Sequence, residues 1–173
     1  LFRSERALGA ADHVVVELDT RKNDDFLRAL DKHGRYAPGD DITLHISPDT
    51  AQRLRAALHG EGVSMASMAR FKPWLVANLL LSMTLERQGY RRSEGVESAL
   101  LAQAQRRGAR VLQLESADFQ LALFDSMYPV EAERYLRETL DGLLDGSIVR
   151  QARRAIEAWR SGDLADYLLS PFS

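Results

Sequence analysis

The chain has 173 residues, of which 45% are hydrophobic and 28% charged, and its net charge at pH 7 is −2. This length and composition suit one globular domain with a core of its own. The small net charge argues against a binder of duplex nucleic acid, which usually carries a strongly basic face. The absence of cysteine excludes disulfides, thiolate metal sites and cysteine nucleophiles.

Two features bear on membranes and export. The most apolar run, from Trp74 to Leu85, has about a dozen residues, whereas a membrane span needs roughly 20. We therefore predict a buried core helix there and no membrane span. Residue 1 is Leu, and no basic stretch precedes an apolar one, so we expect no signal peptide within this sequence.

The stretch from His13 to Asp19 predicts a buried strand that ends in acids. The valines at 14–16 form the β-branched run typical of such a strand, and Glu17 and Asp19 follow them. Alternation along the strand would place both acids on the same face as Val15. Ligands of open α/β sheets bind at the carboxyl ends of the strands, so we expect a site at this edge.

The next segments predict helices and one short strand. Alternation of Ile42, Leu44 and Ile46 with polar residues indicates the strand. Proline at the first helical position and glycine after the last are common start and stop signals. On this basis helices are predicted from Asn23 to Gly34, from Ser47-Pro48 to Gly60 and from Pro73 to about Arg87, with one or two further helical turns between Val63 and Arg70. The helix from Pro73 is apolar on most of its surface, which predicts a central position.

After a helix ending near Gly108, one more strand is predicted, from Val111 to Glu115. Only helices follow: 117–127, one from Pro129, one after Gly146-Ser147 and a short one that includes Leu164 and Leu168. The predicted fold class is therefore α/β and helix-rich, with a small central β-sheet flanked by helices and an all-helical C-terminal part. We expect a single domain over residues 1–173.

Three carboxylates, Glu17, Asp19 and Glu115, end two of the predicted strands. If these strands are parallel, the three side chains could face one cleft. Such a cluster would suit a divalent metal or general acid–base catalysis. The alternative is that acids at strand ends are simply solvated.

Other residue patterns give weaker indications. The four histidines form no HExxH or zinc-finger spacing, and His33 lies near a helix C-terminus, where the dipole favours a cation. GxSxG, GxGxxG and GxxxxGK[ST] are absent, so a serine-hydrolase elbow, a dinucleotide fingerprint and a P-loop lack support. Lys72 and Trp74, on either side of Pro73, could form a pocket wall. The alternative is that Trp74 packs in the core.

Three groups of residues occur in a characteristic order. They are Val14-Val15-Val16-Glu17-Leu18-Asp19, then Phe71-Lys72-Pro73-Trp74, and then Gly95-Val96-Glu97 followed by Leu114-Glu115 and Gln120. This order resembles the GumN-like branch of the TraB/Tiki superfamily, clearly over residues 10–120 and loosely over the helical tail. The resemblance implies an α/β fold, a periplasmic or secreted location and, in the Tiki branch, a metal-dependent peptidase.

The resemblance also implies roles for individual residues. Glu17 matches the family's early acid, and Glu115 matches its later L-E element, so Glu17 is the expected catalytic residue. The expected ligands of a divalent metal are Glu17, Asp19 and Glu115, and the pocket candidates are Lys72, Trp74, Glu97 and Gln120. Glu97 stands where the family often has Asp.

The family's peptidase chemistry uses two G-x-x-H motifs, and neither occurs in this sequence. Gly9 and His13 are one residue too far apart to form the first motif. In the family the two motifs would precede Leu1 and follow Ser173. We therefore expect the chain to be the middle of the domain, incomplete at both ends.

Two hypotheses follow. In the first, the protein is a metal-dependent, peptidase-like hydrolase that acts on a peptide or small molecule through Glu17. In the second, it is a non-catalytic ligand-binding or regulatory protein that uses the same cleft. A homo-oligomer is also conceivable, because aromatic residues of the helical tail could anchor another copy rather than pack in the core: Tyr128, Tyr135, Trp159 and Tyr167.

Overall fold

The computed structural model describes residues 7–91 and 95–162. Within these ranges two short strands, β1 (His13–Val16) and β2 (Arg110–Gln113), lie among helices that make up most of the chain. The helices are α1 (Asn23–His33), α2 (Pro48–Glu61), α3 (Met65–Met68), α4 (Pro73–Arg87), α5 (Val96–Arg106), α6 (Ala117–Asp125), α7 (Pro129–Leu144) and α8 (Ser147–Ser161). This architecture confirms the predicted fold class. The predicted helix that includes Leu164 and Leu168, and Tyr167 with it, lies outside the described residues.

The two strands pair in parallel, with His13 opposite Arg110 and Val16 opposite Gln113, as the acid-cluster hypothesis requires. The prediction that the valine run is buried was wrong for Val15, which is 55% exposed. The reason is that the described sheet has only two strands and helices cover only one of its faces. The strand also ends at Val16, so its alternation does not extend to Asp19.

Helix α4 lies between two apolar clusters and contributes to both, which confirms its predicted central position. Val76 and Leu80 pack with the buried residues of α2 and α7, including Leu54 and Leu136. Trp74, two residues before Val76, packs in the second cluster, which joins α4 to α1 and α6. The second cluster consists of Ala29, Trp74, Leu75, Ala117 and Leu121.

The strand predicted at Ile42 to Ile46 was wrong, because residues Ile42–Leu44 form a 3₁₀ turn. The Asp41 carboxylate accepts a hydrogen bond from the Thr43 backbone N–H at 2.7 Å and so caps the turn. Both isoleucines point into the core while Leu44 is exposed. The turn therefore buries Ile42 and Ile46 but leaves Leu44 in solvent, whereas a strand would place all three on one face.

Most of the predicted helix starts are confirmed. Pro48 and Pro73 each occupy the first turn of a helix, and the Ser47 hydroxyl accepts from the Thr50 backbone N–H. Lys22 is the N-cap of α1, which begins at Asn23, and α2 continues past Gly60 to Glu61, with Gly62 as its C-cap. Among the described residues, no helix is both long and apolar enough to cross a bilayer.

Candidate functional site

A cleft of about 820 Å³ opens beyond the carboxyl ends of both strands. The segments that leave β1 and β2 line one side of it, through Leu18, Asp19 and Gln113. One face of α1 and the first turns of α5 and α6 complete the lining. This is the place where open α/β sheets bind ligands, because the strand ends and the following loops leave a crevice there.

Glu17, Glu115 and Gln120 come together beside this cleft: Gln120 lines it, whereas neither glutamate is among the lining residues. The Glu115 backbone N–H donates to the Glu17 carbonyl at 3.0 Å, so the two chains still run side by side just past the strands. Ser116 then caps α6, and one turn later Gln120 reaches back over the strand ends. Its amide nitrogen donates to Glu17 Oε1 at 2.7 Å and to Glu115 Oε2 at 3.2 Å. The structure thus brings together three of the residues singled out in the sequence.

The amide group of Gln120 holds two like-charged carboxylates near each other. Without a donor between them, two adjacent carboxylates would repel each other. Glu17 is exposed, whereas Glu115 is half-buried. Water and a ligand can therefore reach the Glu17 carboxylate. The Glu115 carboxylate is less accessible and binds the same Gln120 amide.

Asp19 belongs to a different contact. The Arg21 side chain donates to both of its oxygens, from Nε to Oδ1 and from Nη2 to Oδ2, each at 2.7 Å. These hydrogen bonds hold the pKa of the Asp19 carboxyl below its usual range, although burial opposes the shift. Asp19 is only 6% exposed and lies on the cleft wall as half of an ion pair.

The donor set bears on the expected metal. Within residues 7–91 and 95–162, no group of three or more His, Cys, Asp and Glu side chains is arranged to hold a metal ion. Zinc sites have at least three protein ligands, and Ca²⁺ takes six to eight oxygens. Glu17 and Glu115 supply two carboxylates, and those of Asp19 are engaged by Arg21. The described residues alone therefore do not fit a complete metal site.

The remaining pocket candidates separate into two places. Glu97 lines the cleft from the first turn of α5. Lys72 lies elsewhere and forms an ion pair with Asp125. Trp74 is only 3% exposed and stacks on Phe124 with 5.3 Å between ring centroids. It therefore packs in the core, which was the alternative to a pocket wall.

A polar network between α1 and α6 was not foreseen from the sequence. His33 Nε2 lies 2.9 Å from Asp118 Oδ1, and His33 Nδ1 lies 3.4 Å from Asp125 Oδ2. Lys32 also donates to Asp118 at 2.8 Å, and Lys32 and His33 together lower the pKa of the Asp118 carboxyl. The network fixes the helix that carries Gln120. Asp118 and Asp125 are seven residues apart, so they lie on the same face of α6. This spacing could have indicated the network, but only with the knowledge that this face packs against α1.

Comparison with protein families gives a match over most of the chain. The sequence model of the TraB/PrgY/gumN family matches residues 3–171. Neither the comparison with curated proteins nor that with solved structures yields a match. The matched range contains both strands, the cleft and the cluster of Glu17, Glu115 and Gln120. The chain therefore belongs to the TraB/PrgY/gumN family.

Proposed function

We propose that the protein is a hydrolase whose substrate, a peptide or another small molecule with a carbonyl group, binds in the cleft beyond the strand ends. The observation that carries this proposal is the pair of carboxylates, Glu17 and Glu115, which Gln120 of the cleft lining holds beside that cleft. Family membership adds support, because the resemblance drawn from the sequence led to the same acids.

In the proposed reaction, Glu17 acts as the general base. Its exposed carboxylate takes a proton from a water molecule, whose oxygen bonds to the substrate carbonyl carbon. The bond from that carbon to the leaving nitrogen or oxygen then breaks, and the leaving group receives the proton. Glu115 and Gln120 keep the base in place, since Gln120 binds both carboxylates. No step depends on a metal.

A divalent metal is a further part of this proposal. Glu17 and Glu115 would be two of its ligands, and additional ligands would have to come from outside the described residues. A bound metal would supply Lewis acidity at the carbonyl. Metal analysis of the purified protein, together with cleavage assays with added Zn²⁺, Mn²⁺ or a chelator, tests this part separately.

The test is cleavage of a diverse peptide mixture by the full chain, followed by mass spectrometry. We expect cleavage by the unaltered protein and a loss of at least about 100-fold in Glu17→Gln, as for removal of a general base. Glu138→Gln is the matched control, because this glutamate is exposed like Glu17 but lies on α7, which neither lines the cleft nor carries a partner of Gln120. If no peptide is cleaved with or without metal, or if Glu17→Gln retains activity, the proposal is wrong.

The second candidate is a binding protein without catalysis. It is favoured by one observation, namely that both donors of the Gln120 amide are already taken by Glu17 and Glu115. Because these hydrogen bonds hold the three side chains in place, the cluster could position a bound ligand without reacting with it. Ligand binding that persists in Glu17→Gln and in chelator, without any turnover, would support this candidate over the hydrolase.

A further inference from the structure

Helix α8 differs from the other described helices in burial and charge. None of its fifteen residues is buried. It carries four arginines and one glutamate, although the whole chain has a net charge of −2. The positive charge is thus concentrated on a helix that the core does not enclose.

The residues of α8 separate into two faces at helical spacing. An apolar face, which we call the α8 stripe, consists of Ile148, Val149, Ala152, Ala155, Ile156 and Trp159. The arginines lie on the remaining circumference, at positions 150, 153, 154 and 160. Such a helix, apolar along one side and basic along the other, is typical of segments that lie in a membrane surface.

The α8 stripe is fixed at its start and open at its end. A Cβ placed on Gly142 of α7 would lie 2.8 Å from Ile148 Cγ1, so the first turn of α8 sits closely against α7. Farther along, Ile156 is only half-buried and Trp159 is 52% exposed. The tryptophan therefore stands on the outer end of the stripe, next to exposed Arg160.

We infer that α8 binds the surface of a membrane containing anionic phospholipids. Its arginines complement the negative headgroups, and Trp159 is the residue type that favours the boundary between headgroups and acyl chains. A protein groove is less well matched, because helices that dock in grooves present large aliphatic anchors at successive turns. Here the middle of the stripe is built from Ala152 and Ala155. This inference is independent of the proposed hydrolase activity.

The test is sedimentation of the full chain with vesicles of phosphatidylcholine, either alone or with about one third phosphatidylglycerol. We expect binding to the anionic vesicles only, weakening as salt is added. The fluorescence of Trp159 should shift to the blue on binding, whereas buried Trp74 should contribute no change. Trp159→Phe should therefore remove the shift.

Charge reversal on α8 provides the variants. Arg153 and Arg160 are both exposed, and replacing both with Glu should weaken vesicle binding at least tenfold, since each arginine near a charged surface contributes about a fivefold change. The matched control replaces Arg55 of α2 and Arg106 of α5, both exposed, with Glu; this is an equal charge change away from α8, and the variant should bind normally. Circular dichroism establishes that each variant is folded.

Three results would overturn the inference. One is equal binding to neutral and anionic vesicles, and another is full binding by the double arginine variant. The third is self-association without vesicles that Trp159→Glu abolishes, which would show that a second copy covers the α8 stripe. In contrast, loss of vesicle binding in the folded double variant alone would support it.

Discussion

The helical core and the sheet with its cleft are packed in different ways. In the core, Leu54, Leu80 and Leu136 come from three different helices, and each is 0% exposed. In the sheet, Val15 and Leu112 face each other across the strands and are 55% and 39% exposed. The same kinds of apolar side chain are thus enclosed in one region and half-solvated in the other.

The two regions therefore contribute differently: the core mainly provides stability, and the cleft provides the groups that a ligand could contact. Burial of apolar side chains is the main favourable term in folding, so the core supplies most of the stability. Around the cleft, polar contacts accompany the smaller apolar cluster: Asp19 with Arg21, Gln120 with Glu17, and His33 with α6. Loosely packed regions with polar contacts are where ligand sites can rearrange without unfolding the domain.

The largest effect should come from shortening a core leucine. Leu54→Ala should lower the free energy of unfolding by about 2–5 kcal/mol, because it removes buried methyl groups and leaves a cavity between α2, α4 and α7. Urea unfolding followed by circular dichroism measures this change. Leu114→Ala is the matched control: Leu114 is 75% exposed, so its replacement should cost less than about 0.5 kcal/mol. Equal losses of unfolding free energy in both variants would contradict the view that the core supplies most of the stability.

A smaller effect is expected at Gly34, where α1 ends against α4. A Cβ there would lie 2.6 Å from Leu75 Cδ2 and 2.8 Å from the Leu30 carbonyl oxygen. Since backbone cannot yield easily, Gly34→Ala should destabilise the protein by about 1–3 kcal/mol. The same substitution at Gly60, inside α2 and with nothing within 4 Å, should stabilise it by about 0.5–1 kcal/mol. If Gly34→Ala lowers the free energy of unfolding and Gly60→Ala raises it, the loss at Gly34 comes from steric contact and not from replacing a glycine as such.

Much of the core could be predicted from the sequence, because its signals are local. Pro48, Pro73 and Ser47 mark helix starts through the chemistry of the first turn, and broad apolar coverage marks α4 as central. The error at Ile42 has a local cause as well. Three apolar residues at alternate positions cannot distinguish a strand from a turn whose cap is the Asp41 side chain.

The candidate site could be predicted only in part, because its contacts join distant segments. The two strands and their terminal acids were predicted, with parallel pairing as the condition for an acid cluster, and Gln120 was a pocket candidate. That Gln120 lies between Glu17 and Glu115 depends on how α6 turns back over the sheet. The partner of Asp19, by contrast, is only two residues away, but nothing in the pattern distinguishes Arg21 from a solvated arginine.

The smallest effect, visible as a change of slope with pH, should come from Asp19. Because folding lowers the pKa of its carboxyl, the ion pair stabilises the folded state at pH values above 3.8, the ordinary value, and this stabilisation is lost as the pH falls below it. Asp19→Asn should therefore show a shallower loss of unfolding free energy between pH 6 and pH 3 than the unaltered protein. The loss caused by Leu54→Ala should be nearly the same at both pH values, since it removes no charge.

Arg21→Gln shows whether the slope belongs to this pair, since Arg21 is the main cause of the lowered pKa. In the Arg21→Gln variant, a further Asp19→Asn change should alter the pH dependence of the unfolding free energy little. The reason is that the side chain that lowers the pKa of Asp19 is already absent. An unchanged slope difference would show that other contacts of Asp19, such as the Arg21 backbone N–H or Lys22, lower its pKa. A slope difference that disappears would show that the ion pair of Asp19 and Arg21 contributes stability on the cleft side of the molecule, in addition to the apolar burial that stabilises the core.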